Sequence, residues 1–188
     1  MANLQTTTVT GNLTVSSGNL FAPGTPIQVQ YVASGTRVTV DSTSFVEPST
    51  SYRVSITPKF TNSMIMISYF IPTNANGQSN TIYTARAFRI ISGTTSYALT
   101  SAGSANGSRN PIAGSTYRPL NGYDGNDPMP MIWNVVDFPN TTSTCIYGFD
   151  FKRETGGTGT VYFGYSAGDN SNWGFDADIL ITATEIKQ

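Results

Sequence analysis

The sequence predicts an all-β fold, an antiparallel β-sandwich of jelly-roll type with an extended N-terminal arm. Three observations predict it. Apolar residues recur with period two in segment after segment between Ile27 and Ile186. Clusters of Gly, Pro, Asn and Ser separate those segments, and no stretch combines helical spacing with helix caps. Many short strands, each with one face to bury, are accommodated by two packed sheets. An immunoglobulin-like sandwich is the second architecture; its Cys…Trp…Cys signature is absent, since Cys145 is the single cysteine.

The first residues behave differently. Gly-Asn-Leu occurs at Gly11 and again at Gly18, within a run of Thr, Val, Ser and Asn. One copy of so short a repeat has too little apolar surface for a core, so it needs sister chains or another protein to pack on. Its apolar residues Val9, Leu13, Val15, Leu20 and Phe21 are the candidates for assembly. Residues 1–24 are therefore expected to be an attachment or trimerisation arm, and residues 25–188 a sandwich head domain.

The head reads strand by strand. Ile27, Val29 and Tyr31 alternate with Gln28 and Gln30, which predicts a strand with its apolar face buried. Tyr52, Val54 and Ile56 alternate with polar residues until Pro58, which cannot donate to a ladder. Met64 to Ile71 is almost continuously apolar and predicts a strand covered on both faces, by the opposing sheet and by either loops or another subunit. Ile82 to Ile91 is the next strand, and a shorter one spans Ser96 to Leu99 after the turn residue Gly93. Thr100 to Pro130 is rich in Ser, Asn, Gly and Pro, and so long an irregular stretch implies a use. Strands resume at Met131 to Phe138, with Trp133 and Val135 on one face. In Thr144 to Phe151, residues Cys145, Tyr147, Phe149 and Phe151 share a face. Val161, Phe163 and Tyr165 follow, then a polar loop at 167–172 and a last strand from Asp178 to Ile186.

Composition narrows the function. The 188 residues are 38% hydrophobic and 12% aromatic, enough for a core, but only 11% charged. A net charge of -1 provides no field to attract nucleic acid or anionic lipid. The longest apolar run is too short to span a bilayer, and the N-terminus has neither a basic region nor an apolar stretch. With no histidine, a Ser-His-Asp triad and the usual zinc sites are excluded. Cys145 sits in an apolar alternation, where an inert buried thiol is expected. Carboxylates remain as catalytic candidates. Asp124 and Asp127 share a loop, and Asp176 and Asp178 flank a strand start, but nothing faces any pair across a cleft as glycoside hydrolysis requires.

Several motifs carry a resemblance. Ser51-Tyr52-Arg53-Val54-Ser55-Ile56-Thr57-Pro58-Lys59 is followed by Asn62-Ser63-Met64-Ile65-Met66-Ile67. Phe88-Arg89-Ile90 precedes Gly93, Asp137-Phe138-Pro139-Asn140 precedes an aromatic strand, and Ala183-Thr184-Glu185-Ile186 closes the domain. Their order and spacing resemble β-domains of phage virion appendages, especially those of marine cyanophages, although Met64 stands where family members carry a lysine. The N-terminal repeat is similar to those preceding globular heads in phage fibres. The resemblance implies a trimeric, non-enzymatic virion protein with a jelly-roll-like head, exposed on the particle surface. It leaves open whether the head sits on the tail, the baseplate or the capsid.

Binding candidates come from the loops. Tyr117, Arg118, Tyr123, Asp124 and Asp127 lie in the long irregular stretch, and Trp173 follows the second polar loop. Exposed rings stack on apolar sugar faces while Asp, Asn and Arg bond hydroxyls, so these residues point to host-surface glycans; the alternative is that Tyr123 and Trp173 pack under their own loops. Asp124 and Asp127, with Asn121 and Asn126, could supply oxygens to calcium, but water-solvated Asx turns are the preferred explanation and the spacing is not that of an EF-hand. No cofactor is expected, and no partner that is nucleic acid or membrane. The expected partners are sister chains, a second virion protein held by the arm, and host glycans. The functional expectation is a trimeric fibre-like adhesin; the alternative is a capsid decoration or head-fibre protein that reinforces the lattice.

Overall fold

A computed structural model describes residues 22–77, 82–100, 113–117, 130–154, 159–166 and 175–188. The described residues form strands β1 (Pro26–Ser34), β2 (Val38–Val40), β3 (Val54–Ile56), β4 (Met64–Ile71), β5 (Thr73–Gly77) and β6 (Tyr83–Ile91). They continue with β7 (Thr94–Ser96), β8 (Gly114–Tyr117), β9 (Met131–Asp137), β10 (Cys145–Arg153), β11 (Gly159–Phe163) and β12 (Ile179–Ile186). A 3-10 turn at Thr50–Tyr52 precedes β3, capped by the Ser49 side chain.

Every pairing is antiparallel. One sheet has the order β1-β12-β4-β9; the facing sheet runs β3-β10-β6, with β7 and β8 both on the far edge of β6. Treating β7 and β8 as one broken edge strand leaves eight principal strands. Their orders are then first-eighth-third-sixth and second-seventh-fourth-fifth, the double Greek key of a jelly roll. The immunoglobulin-like alternative does not have this order.

The sheet β2-β11-β5 prolongs the first layer. β1 leads into β2 and β4 into β5, with Pro72 interrupting the second ladder because it lacks an N–H. β11 lies between β2 and β5, as β12 lies between β1 and β4. β11 and β12 therefore occupy one column of this layer. Residues 164–178 leave that column and return to it. The gap is pinched by Gly164 N donating to Pro72 O (2.8 Å) and Ala177 N donating to Gly164 O (2.9 Å).

The core lies between the layers. Tyr52, Val54, Ile56, Ile65, Ile67, Tyr69, Ile71, Trp133, Val135 and the Cys145-to-Phe151 alternation are buried, as their period predicts. Phe149 is central: Tyr69, Trp133 and Phe163 approach its ring at 6.2, 5.9 and 5.9 Å. Tyr69 also stacks on Trp133 at 4.4 Å, and its hydroxyl donates across the layers to Gly148 O (3.0 Å). At one end Asp137 of β9 accepts from Arg89 Nη1 (2.6 Å) and from the Tyr147 hydroxyl (2.8 Å), tying the sheets together through a buried carboxylate.

Four expectations change. The short strand after β6 begins at Thr94 rather than Ser96, because Ser92 (φ 50) and Gly93 (φ 81) form a two-residue hairpin turn that starts pairing at once. Tyr117 belongs to β8 and pairs with Tyr83, so it is not in irregular chain. Tyr165 lies beyond β11 and pairs with Asp176 in an isolated bridge. The apolar residues Val29 and Tyr31 of β1 are exposed, not buried. β1 is turned over: the register puts Gln28, Gln30, Val32 and Ser34 opposite the inward residues Glu185, Ala183, Ile181 and Ile179. The reason is on β12. Glu185 is fully buried and accepts from Gln28 Nε2 (2.7 Å), Lys59 N (2.7 Å), Phe60 N (3.3 Å) and Ser63 Oγ (2.6 Å), so the inner row there requires a polar neighbour.

Candidate functional site

The two outer faces of the sandwich have opposite chemistry. Outside β6 and β10, charges are gathered and covered. Arg86 Nη2 donates to Asp150 (3.0 Å), and its guanidinium lies 3.7 Å from the Tyr97 ring centroid and 3.9 Å from that of Phe45. The Tyr97 hydroxyl closes the group with a 2.8 Å bond to Asp150. Arg53 holds Glu47 through two 2.6 Å bonds and passes over the buried Phe88 ring. The segments preceding β3 and following β7 thus lie over this face, and its stacked, ion-paired groups are satisfied within the chain.

Outside β1-β12-β4-β9 the face is uncharged, mostly apolar and open. One row across the four strands is Ala33, Leu180, Phe70 and Ile132; the row two residues along is Tyr31, Thr182, Ser68 and Asn134, polar after its first member. Val29, Tyr31, Phe70, Ile132 and Leu180 are 53%, 70%, 41%, 62% and 39% exposed, and they are five of the eight large hydrophobics exposed among the described residues. The only charged residues of these strands, Asp137 and Glu185, point inward. The outer side of β4, expected to be covered, is therefore uncovered by the described residues of its own chain. A sheet packed against water ordinarily alternates apolar-in and polar-out. Here β1 does the reverse.

The sandwich also has two distinct ends. β1 starts and β12 finishes at one end, where Gly24 N donates to Lys187 O (2.7 Å) and Lys187 N to Thr25 O (3.0 Å). At the other end β5 finishes, β6 starts, β8 finishes and β10 finishes, in one set of adjoining rungs. Segments 78–81, 118–129 and 155–158 leave from that end, opposite to where residues 1–21 join.

The loop candidates divide accordingly. The Tyr117 backbone is placed by β8 at this far end. Arg118, Tyr123, Asp124 and Asp127 lie outside the described residues, as do Trp173 and the arm residues Val9, Leu13, Val15, Leu20 and Phe21. The segment containing Trp173 leaves after Ser166, beyond Phe163, which pairs with Thr73; the far end is at Gly77. Four rungs, about 13 Å, separate the two points of departure. Asp176 is ion-paired to Arg37, and Asp178 is exposed. Among the described residues no group of three Cys, Asp or Glu side chains could hold a metal. Cys145 is buried, its thiol pushed up by desolvation against the opposing pull of Arg89.

No protein-family model matches the chain, and no curated protein matches it. Its structure is similar to one from infectious bursal disease virus, Gt strain, with 10% identity and a TM-score of 0.41 over 94% of this chain and 42% of that chain. A second, from the Gx strain of the same virus, has 11% identity and a TM-score of 0.43, over 88% of this chain and 38% of that chain. The chain thus spans about two fifths of the length of the solved chains it matches.

The sequence indicated the outer side of β4 but not the part that β1 plays in the open face. The signal was the Val29/Tyr31 alternation, which shows that β1 has an apolar side. Only the register against Glu185 shows that this side points outward.

Proposed function

We propose that the chain is a non-enzymatic structural protein of a bacteriophage virion. In this reading it is a trimeric, fibre-like appendage in which residues 1–24 attach the head to the particle. The far end of the head is displayed toward host-surface glycans. The polarity of the sandwich carries the reading: residues 1–21 join at one end, and the segment bearing Arg118, Tyr123, Asp124 and Asp127 leaves from the other. A protein that anchors by one end and recognises by the other needs this arrangement. The resemblance to phage appendage domains supports the virion assignment. A capsid decoration role is the second reading, favoured by the flat uncharged sheet face, which suits side-by-side contact in a lattice.

Imaging purified virions with a label on Gln188 tests both readings. Label at the tail or baseplate supports the appendage; label over the head supports decoration; particles without label sink the virion assignment. Replacing Tyr123 by Ala is expected to reduce adsorption to host cells with the fold retained, and unchanged adsorption counts against glycan recognition.

A further inference from the structure

We infer that the outer face of β1-β12-β4-β9 is a self-association surface, covered in the assembled protein by other copies of the same chain. The contact pairs two copies about a twofold axis; it goes beyond the oligomer proposed above and does not rest on the number of copies in that reading.

The face has the composition of a buried contact. It displays Tyr31, Phe70, Ile132 and Met66, with no outward Asp, Glu, Lys or Arg on any of its strands. Interface centres are depleted in charge and enriched in aromatics and Met; here the outward row Thr182, Ser68 and Asn134 is polar but uncharged, and apolar rows with Leu180, Phe70 and Ile132 on one side and Val29, Met66 and Val136 on the other flank it. The overturned β1 is the strongest sign. Gln28 is turned onto Glu185, while Val29 and Tyr31 point to the outside, which is unfavourable if water is what they meet.

Two further observations select a second copy as the occupant. The first is charge. Contact between identical faces about a twofold axis brings like regions together, so a charged face would meet its own sign. The β6/β10 side carries Arg53, Arg86, Asp150 and Lys152 and is already closed by its own chain; the β1-β12-β4-β9 side carries none. The second is area. Four strands about 4.8 Å apart, over the eight residues of β4, present about 500 Å², so two faces together bury about 1,000 Å². That reaches the lower bound for a specific protein contact.

The test is sedimentation of the full chain at micromolar concentration. The variants are Tyr31→Lys and Ile132→Lys, singly and together, with Ser55→Lys as a control at an exposed position of another sheet. Both replaced side chains are mostly exposed, so near-ultraviolet circular dichroism is expected to match wild type. Wild type and Ser55→Lys are expected as oligomers. The double variant is expected to be a monomer, with its dissociation constant raised at least about a hundredfold. A monomeric wild type overturns the inference. So does an oligomer that survives both lysines, or one that survives them yet falls apart on Leu13→Asp, which would assign the contact to the arm. Wild-type protein that is monomeric and binds neutral phosphatidylcholine vesicles, with binding lost on Ile132→Lys, would assign the face to lipid instead. Absence of the protein from virions would end the virion reading and leave this contact standing; a monomer would end this contact and the trimer and leave the virion assignment alone.

Discussion

Replacing Glu185 separates the role of its charge from that of its shape. The carboxylate is fully buried and accepts four bonds, from Gln28, Lys59, Phe60 and Ser63, with no cation among those partners. Glu185→Leu removes the acceptor from all four. Ser63 is itself fully buried, so its hydroxyl is left unpaired at about 1–3 kcal/mol. The other three donors are partly reached by water and lose about 0.5 kcal/mol each, giving about 3 kcal/mol in all. Glu185→Gln keeps the shape and the oxygen that accepts from Lys59, Phe60 and Ser63, and forfeits the bond from Gln28 and the assistance of the charge, about 1–2 kcal/mol. Urea unfolding followed by tryptophan fluorescence measures both, since Trp133 is stacked in the core. At this chain length the Leu variant corresponds to a Tm drop of about 6–12 °C. A Leu variant within about 0.5 kcal/mol of wild type would refute the clamp; so would a Gln variant that costs as much as Leu.

Three further outcomes are expected. Breaking the buried pair by Asp137→Asn is expected to cost about 3 kcal/mol by urea unfolding, and Arg89→Met in the same chain to recover part of it; a neutral Asp137→Asn is inconsistent with the pair. Burial raises the Tyr52 hydroxyl from 10.0 to about 12, against the pull of Arg37, and pushes Tyr69 and Tyr147 up as well. The unfolded chain ionises first, so stability is fully present below pH about 10 and falls as pH rises through the folded value. Phenolate absorbance is then expected to show these tyrosines titrating with unfolding, and free titration of the native protein contradicts their burial. Gly114→Ala would place a Cβ 1.9 Å from the Ala85 carbonyl oxygen, so β8 is expected to lift from β6 at about 1–3 kcal/mol. The Ala87 amide, which donates to Ala113 O at 2.7 Å, then loses exchange protection; retained protection rules the displacement out.

The strands with steep period-two contrast were legible in the sequence. β9, β10 and β12 form where Met131–Asp137, Cys145–Phe151 and Ile179–Ile186 alternate, and β4 where Met64–Ile71 is almost continuously apolar, because each puts an apolar row into one core. β8 was not legible: Gly114-Ser115-Thr116-Tyr117 has no apolar alternation and is held by backbone bonds to β6. Neither β2 nor β5 was foreseen, since each continues a strand across a break. β1 shows the limit most plainly. Periodicity reveals that a strand has two unlike faces, whereas the direction each takes depends on the neighbour, here a buried glutamate 157 positions away from Gln28. The open face inherits that limit, because Tyr31 and Ile132 come together only through the registers of β12 and β4.

The interrupted column of β11 and β12 has a consequence for variation. Rungs on both sides of the break are held independently, β11 by β2 and β5, β12 by β1 and β4. Whatever length of chain lies between Ser166 and Phe175, neither ladder has to slip to accommodate it, because closure is made locally by Gly164, Ala177 and the Ser166–Phe175 bond (3.1 Å). The place is a natural insertion port. Foreign peptides could be grafted there, and relatives could diverge there in length, while the sandwich on either side keeps its alignment residue for residue.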